Sequence, residues 1–545
     1  MSNGKKMGKR LQTILFFLIT VIIGIMAVSY LYSGPNLMYD DSTYLYLAHY
    51  ALEGNMSFLA DRFAYGFLKI FQTGLPIYLF GYGTPQAYAA TLMDYLIILL
   101  IIFLFARRVS KGNDWFALLV SSIGATFPFV AGNATRVLPD IPIGMVAALA
   151  LYIFLVVSRQ KHKILPPLLF GFLTFLTVYM NEEGYIFTMA VTASLLFLFL
   201  SENRKNKGIW RNESLQWLNF QYLVLFVIGG VMSFILYISV FYFAIHSPFF
   251  PFTHYSTIPN SFSLADHLSM LLPFSTLPYY TDTYPLGPFF LFSLFGCILA
   301  IYRNERKLIL PASVEILVTI YFFIGPSSPS DLFSGRAYLA MPTVPRMFAL
   351  LVLPAALLAG YFILSIFHYA KKKFGKKYAV VAILAILAIS AVGYYNIYVV
   401  LHSYNAFVSL QYSVFNTLVS VVTNTYPAGA HIYAAGLTAQ ATLFMFNILT
   451  NFKSNYSYLD ISSPSLFNLN YVPGPCADPG NDSILLMWNP ANNTNTGGWL
   501  VGGNCTISLI GNFSTGIRHI SRNSYFPAQV LYLYRVSSNN TVKNK

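Results

Sequence analysis

Residues 5–50 read KKMGKRLQTILFFLITVIIGIMAVSYLYSGPNLMYDDSTYLYLAHY. Four cations, Lys5, Lys6, Lys9 and Arg10, lead into an apolar run over 11–33, and the adjacent carboxylates Asp40 and Asp41 follow it. About 20 apolar residues suffice to cross a bilayer, and flanking cations stay on the cytoplasmic side. The stretch therefore predicts a membrane span with its N-terminus inside and its acidic pair at the outer face. The run is longer than the apolar part of a secretory leader, and no small-x-small cleavage site follows, so a retained anchor is expected.

Composition extends that reading to the whole chain. Of 545 residues, 56% are apolar and only 10% charged, with mean hydropathy +0.59. Soluble domains run nearer a quarter charged, so cytosolic enzymes, DNA-binding proteins and secreted domains are excluded. Eleven apolar stretches are expected to span: 11–33, 86–106, 115–132, 141–157, 165–180, 186–200, 217–245, 286–302, 308–325, 347–369 and 378–400. Alternate loops then carry Arg107/Arg108/Lys111, Arg159/Lys161/Lys163, Arg204/Lys205/Lys207/Arg211, Arg303/Arg306/Lys307 and Lys371–Lys373/Lys376/Lys377. With the N-terminal four, that is 22 of the 33 lysines and arginines on one side. The formal charge of +14 is thus an orientation signal and not a nucleic-acid footprint.

An odd number of spans leaves the C-terminus outside. Residues 401–545 are polar and hold sequons at Asn455, Asn481, Asn492, Asn504, Asn512 and Asn539, consistent with an exposed outer surface. Cys476 and Cys505 also lie there, where an oxidising compartment would permit a disulfide. A helix-like 410–426, a strand-like His431–Ala435, a helix around 438–449 and strand-like runs at 483–488 and 529–535 predict a small α/β domain. The expected architecture is an all-α polytopic bundle over 1–400, with interfacial helices in the first outer loop 34–85, and an extracytoplasmic α/β domain over 401–545.

Polar residues crowd the outer ends of the spans at three places. Asp40-Asp41 opens the first loop, which continues through Arg62, Lys69 and Gly74-Leu75-Pro76. Adjacent carboxylates at a membrane boundary are costly unless water, a metal or a cation is close; capping an interfacial helix would also account for them. Asn133-Ala134-Thr135-Arg136-Val137-Leu138-Pro139-Asp140 forms the second place, and Asn181-Glu182-Glu183-Gly184-Tyr185 the third. Turn chemistry explains the Pro and Asn residues. It does not explain an Asp beside an Arg at the threshold of an apolar helix. Together the three places put five carboxylates on the outer face of one bundle.

With Asp40-Asp41 followed by Tyr44, Arg136…Asp140 before the fourth span, this loop order and an outer C-terminal domain, the chain resembles the GT-C polytopic glycosyltransferases. The resemblance is to the dolichyl-phosphate-mannose protein mannosyltransferase and aminoarabinose transferase branch. It implies an inverting transfer of a sugar from polyprenyl (dolichyl) phosphate to a hydroxyl on a glycan, protein or lipid acceptor. It further implies Asp40 as general base, Asp41 as its neighbour on acceptor or metal, and Asp140 supporting the same pocket. The physics agrees, because a hydroxyl needs a positioned base and low-dielectric surroundings raise a carboxylate toward that task. The relatives often carry a Lys- or His-Pro-Pro-like element where this chain has Thr73-Gly74-Leu75-Pro76.

The leaving group is a lipid phosphate, and outer cations before the tail number five: Arg62, Lys69, Arg136, Arg336 and Arg346. Arg336 and Arg346 suit bidentate phosphate binding best, while snorkelling at helix ends is the plainer account of each. Glu182 and Glu183 are further substrate-site candidates. For a divalent metal the candidates are Asp41, His254 and His267, whose spacing matches no defined zinc pattern.

No Gly-rich phosphate loop, CxxC or Ser/His/Asp signature occurs, and no two of the five Trp are adjacent, unlike the WWD of oligosaccharyltransferases. The alternative is a transporter or lipid-linked substrate translocator. It would show ionisable residues at mid-span and repeated halves. Only Asp94 and Glu315 fall within spans, and no internal repeat is present.

Overall fold

The structure is a computed structural model that describes residues 2–31, 40–56, 59, 66–81, 84–157, 164–181, 183–205, 218, 220–249, 286–325, 345–425, 431–435, 449–450, 457–460, 483–488, 505–514, 518–521, 524–526 and 530–538. The chain forms two compact units. One comprises Met1–Tyr32, Ala64–Lys69 and Ala90–His402, and the other Ser33–Phe63, Ile70–Ala89 and Ser403–Lys545.

The helices are α1 (Ser2–Leu31), α2 (Asp40–Leu52), α3 (Phe67–Phe80), α4 (Thr84–Val109), α5 (Asp114–Thr126), α6 (Pro128–Ala131), α7 (Asp140–Val157), α8 (Leu165–Leu176), α9 (Glu183–Lys205) and α10 (Phe220–Ile245). They continue with α11 (Pro288–Tyr302), α12 (Arg306–Ile324), α13 (Val352–Phe374) and α14 (Lys376–Thr425), with 3-10 segments at Thr177–Tyr179 and Pro345–Leu351. In each of the eleven apolar stretches most of the described residues are helical. Among the described residues six helices are long and apolar enough to cross a membrane: Lys9–Tyr30, Pro85–Val109, Glu183–Ser201, Phe220–Ile245, Arg346–Phe374 and Lys376–Val399. The others are shorter apolar helices or, like α12, contain several charges. The chain is a multi-pass membrane protein.

In the first unit, α13 is nearly enclosed, with every residue from Val352 to Gly360 buried. By contrast α1 and α10 leave Leu11, Ile22, Met26, Val227, Ile235 and Phe243 about half exposed or more. Such apolar faces are stable only against lipid or protein. Small residues let the inner helices touch. A Cβ at Gly171 would fall 1.9 Å from the Phe226 carbonyl oxygen, and one at Gly229 2.0 Å from that of Leu168, so α8 and α10 cross backbone to backbone. Polar pairs fix α1 on α5: the Thr13 hydroxyl donates to Asp114 at 3.0 Å, and Thr20 and Ser121 share a hydrogen bond of 2.8 Å. Asp114 also meets Arg107 at 2.7 Å, and Asn113 caps α5 by accepting from the Phe116 amide.

In the second unit, α2 lies against the Ile70–Phe80 part of α3, where Gly74 faces Leu52 and the Ala48 carbonyl. Strands β1 (His431–Ala435), β2 (Ser457–Asp460), β3 (Ser483–Trp488), β4 (Cys505–Ser514) and β7 (Val530–Ser538) form a sheet of order β2-β1-β3-β7-β4. β1 runs parallel to β2 and β3, whereas β7 runs antiparallel to β3 and β4. Strands β5 (Arg518–Ser521) and β6 (Ser524–Phe526) pair as a separate ribbon. The helix expected at 438–449 lies almost wholly outside the described residues. The separate helix expected at 410–426 is instead the end of the 50-residue α14. No Gly or Pro occurs between Tyr394 and Thr425 to break it.

Candidate functional site

The turn between α6 and α7 is built around buried polar groups. Pro128 opens α6 at a position where a missing amide costs nothing. The Asn133 amide side chain then donates to the Phe129 carbonyl at 3.0 Å, and the Arg136 backbone N–H donates to the Asn133 carbonyl at 3.1 Å. Asn133, Arg136 and Asp140 are all buried. Asp140 stands in the first turn of α7, where the helix dipole favours negative charge.

Arg346 is brought to it from the Pro345–Leu351 segment. Its Nε lies 3.8 Å from Asp140 Oδ1, with the Arg346 side chain 20% and the Asp140 side chain 3% exposed. This separation is an ion pair longer than a direct hydrogen bond. Gly144 sets the approach: a Cβ there would fall 2.6 Å from the Ala349 carbonyl oxygen. The sequence named Asp140 and Arg346 separately; the fold pairs them.

Glu183 is buried in the first turn of α9. The turn before it is held by the Thr177 hydroxyl, which donates to the Thr174 carbonyl at 2.7 Å and lies 3.2 Å from the Gly184 carbonyl. Gly184 packs on the Thr177 backbone, and Gly66 packs on the Met180 carbonyl. Beside them Phe67, Tyr179, Tyr237 and Phe241 form an aromatic stack, with Tyr179 and Tyr237 rings 4.6 Å apart and nearly parallel. Lys69 follows one half-turn later. It is fully buried, and its ammonium donates to the Thr91 hydroxyl at 2.8 Å. Asp94, also buried, lies on the same face of α4.

In the other unit Asp40 begins α2, and Asp41, Ser42, Thr43 and Tyr44 are all buried, Asp41 completely. Four consecutive enclosed residues, three of them polar, are foreign to an interfacial helix that merely caps itself. Further along α2, His49 Nε2 meets Glu53 at 3.1 Å. Burial pushes the His49 imidazole below its ordinary value, and Glu53 offsets part of that shift.

Arg62, Glu182, His254, His267, Arg336 and Cys476 lie outside the described residues, while Cys505 begins β4. Among the described residues no group of three His, Cys, Asp or Glu could hold a metal, and Cys297 is a free, buried thiol. Of the two carboxylates inside apolar helices, Glu315 of α12 is fully buried and accepts a hydrogen bond from the Ser293 hydroxyl of α11. That pairing joins two helices.

The structure is similar to the crystal structure of ArnT from Cupriavidus metallidurans in the apo state, with TM-score 0.55 and 12% identity over 95% of this chain and 97% of that one. It is similar also to ArnT from Cupriavidus metallidurans bound to undecaprenyl phosphate, with TM-score 0.53, 12% identity and the same coverage. The Archaeoglobus fulgidus oligosaccharyltransferase complex with Zn and sulfate aligns with TM-score 0.48 at 14% identity, over 82% of this chain and 62% of that one. No protein-family model matches the sequence, and no curated protein matches it. At such identity the likeness is one of fold. The chain has the fold of ArnT on a multi-pass membrane frame.

Proposed function

We propose that the protein is an inverting glycosyltransferase that moves a sugar from a polyprenyl phosphate to an acceptor hydroxyl at the outer membrane face. The observation that carries this reading is the ion pair of buried Asp140 with half-buried Arg346 at the threshold of α7, within a fold shared with ArnT. One of the similar ArnT structures holds undecaprenyl phosphate. A lipid phosphate demands a forked cation near the membrane surface, and a guanidinium held by a buried carboxylate meets that demand.

In the proposed reaction Asp40 accepts the proton of the acceptor hydroxyl while that oxygen forms a bond to C1 of the sugar. The C1–O bond to phosphate breaks on the opposite side, and polyprenyl phosphate leaves with the electron pair, inverting C1. Arg346 meets the phosphate charge, with Arg336, Arg136 and Arg62 as further cations. Asp41 orients Asp40 or the acceptor, and Glu182 and Glu183 contribute to substrate binding. Lys69, enclosed against Thr91, suits holding α3 in place better than meeting phosphate directly. These steps use the chain's own side chains.

The same reading places residues 1–400 as the transferase bundle, spanning eleven times with a cytoplasmic N-terminus. Residues 401–545 form the outer domain, which guides the acceptor, carries sequons that permit glycosylation and is closed by a Cys476–Cys505 disulfide. Purified protein given radiolabelled polyprenyl-phosphate sugars with membrane extract should release label from the lipid. Binding of the lipids without release would favour a translocator, and no binding of any of them would sink the reading.

A further inference from the structure

The turn joining α13 to α14 carries five lysines in seven residues, Lys371-Lys372-Lys373-Phe374-Gly375-Lys376-Lys377, and every residue from 371 to 378 is exposed. Lys371, Lys372 and Lys373 lie in the last turn of α13, where cations suit the negative end of the dipole. Gly375, with φ 94°, lets the chain reverse, its N–H donating to the Lys371 carbonyl at 3.2 Å. Lys376 and Lys377 then open α14, whose first turn holds no acidic residue. Two cations at the positive end of a 50-residue helix repel the dipole, and an external anion there would relieve them.

Three other cations at this end of the unit are engaged within the protein. Arg107 meets Asp114 at 2.7 Å, Arg303 donates to the Ser365 hydroxyl at 3.3 Å, and Lys307 donates to the Val109 carbonyl at 3.0 Å. Lys373 bonds to the Tyr369 hydroxyl at 3.2 Å and stands over the Phe374 ring at 5.3 Å. The side-chain ammonium groups of Lys371, Lys372, Lys376 and Lys377 have no hydrogen-bond or ion-pair partner among the described residues. The nearby acid Glu305 faces the Tyr361 hydroxyl instead.

Aromatic rings are interleaved with these lysines. Tyr369, Phe374 and Tyr378 are each more than half exposed, and the Phe374 and Tyr378 rings lie 6.5 Å apart. Rings of this kind settle at headgroup depth. Directly beyond them α14 exposes Val380, Val381 and Leu384. Free ammonium groups, then aromatic rings, then an apolar face match phosphate, glycerol and acyl chain in turn.

We propose that the α13–α14 turn is a binding site for anionic phospholipid headgroups of the adjoining leaflet. Charge complementarity supplies the affinity, and the apolar face of α14 selects a lipid over other polyanions.

The test uses the full chain, stripped of lipid in detergent, reloaded with phosphatidylglycerol or phosphatidylcholine, and weighed by native mass spectrometry. Wild type should retain phosphatidylglycerol about tenfold or more over phosphatidylcholine, with the preference falling as salt rises. Lys371→Gln, Lys372→Gln, Lys376→Gln and Lys377→Gln combined should abolish the preference, and arginine at the same four positions should keep it. Should the fourfold glutamine variant fail to fold, the pair Lys376→Gln and Lys377→Gln should lower the preference severalfold. Equal retention of the two lipids by wild type, or an undiminished preference in a folded glutamine variant, would overturn the proposal. Displacement of phosphatidylglycerol from wild type by RNA or an acidic peptide at matched charge would overturn it as well.

Discussion

Asp140 and Arg346 meet at 3.8 Å because two backbones touch one turn further along, at Gly144 and Ala349. Asp140 and Gly144 share the inner face of α7, and Arg346 and Ala349 share the Pro345–Leu351 segment. The ion pair and the glycine approach are therefore one device: the glycine sets the depth of the docking, and the depth sets the reach of the guanidinium.

Removing either charge should be worse than removing both. Arg346→Met leaves a buried carboxylate without that cation, and Asp140→Asn leaves the cation without that carboxylate. Breaking a fully buried pair costs about 3–5 kcal/mol, and the partial exposure of Arg346 reduces this to about 1–3 kcal/mol. The double variant should recover part of the loss. A thermal-unfolding cycle on the four proteins in detergent measures the coupling; additive losses would show that the pair does not interact. Sugar transfer should vanish in all three variants.

Gly144→Ala tests the docking depth. The added methyl cannot sit 2.6 Å from a carbonyl oxygen, so α7 must shift. Overpacking of this kind costs about 1–3 kcal/mol. Displacing Asp140 and Arg346 relative to each other should lower transfer about a hundredfold. Gly112 supplies the control, having φ 94° with nothing within 4 Å of an added Cβ. Gly112→Ala should cost about 1 kcal/mol through backbone strain and leave transfer unchanged. Comparable turnover in the two variants would sever the link between docking and activity.

How far the sequence carried the fold can be seen from particular residues. Apolar runs marked the long helices of the bundle, because lipid forces that feature into the chain locally. The strands at His431–Ala435 and Ser483–Trp488 were legible for the same local reason, their β-branched and aromatic content. The Asp140–Arg346 pairing was not legible, since no local pattern joins residues so distant in the chain. Nor was the enclosure of Lys69 against Thr91. A lone lysine in an outer loop reads as a surface cation, and only the fold shows it enclosed with its ammonium on Thr91 of α4. The full burial of Asp41 was likewise invisible, because a capping acid and an enclosed one look alike in sequence.

That enclosure gives Lys69 a distinguishing signature. Lys69→Met keeps most of the side-chain volume and removes the hydrogen bond to Thr91. Kinetics with varied donor should show kcat falling about tenfold while the donor KM stays within a factor of about two, because uniform donor binding is untouched. A large rise in donor KM with kcat unchanged would instead make Lys69 a phosphate contact.

The His49–Glu53 pair predicts a pH response in the second unit. Burial lowers the folded His49 value below 6.5, so the unfolded state binds more protons as pH falls through that range. The stability that His49 contributes is complete above about pH 6.5 and declines as pH drops toward the folded value. Hydrogen exchange along α2 should accelerate between neutral pH and pH 5 beyond the intrinsic pH trend, and His49→Gln should flatten the difference. An unaltered profile in His49→Gln would assign the response to another group.

The sharpest prediction separates Asp40 from Asp41. Asp41 is fully buried, so Asp41→Asn should disturb both folding and transfer, and loss of activity there says little about chemistry. Asp40 begins α2 one residue earlier, and the asparagine variant keeps its shape and capping capacity while abolishing its basicity. A general base contributes about 10²–10⁴ in rate, so Asp40→Asn should lose that much in kcat while unfolding at the wild-type temperature and binding lipid-linked donor as before. The residual rate should rise with the acidity of the acceptor, since a hydroxyl that surrenders its proton readily depends less on the missing base. If Asp40→Asn turns over as wild type does, the proton goes elsewhere, and Asp140, already poised beside Arg346, becomes the next carboxylate to replace.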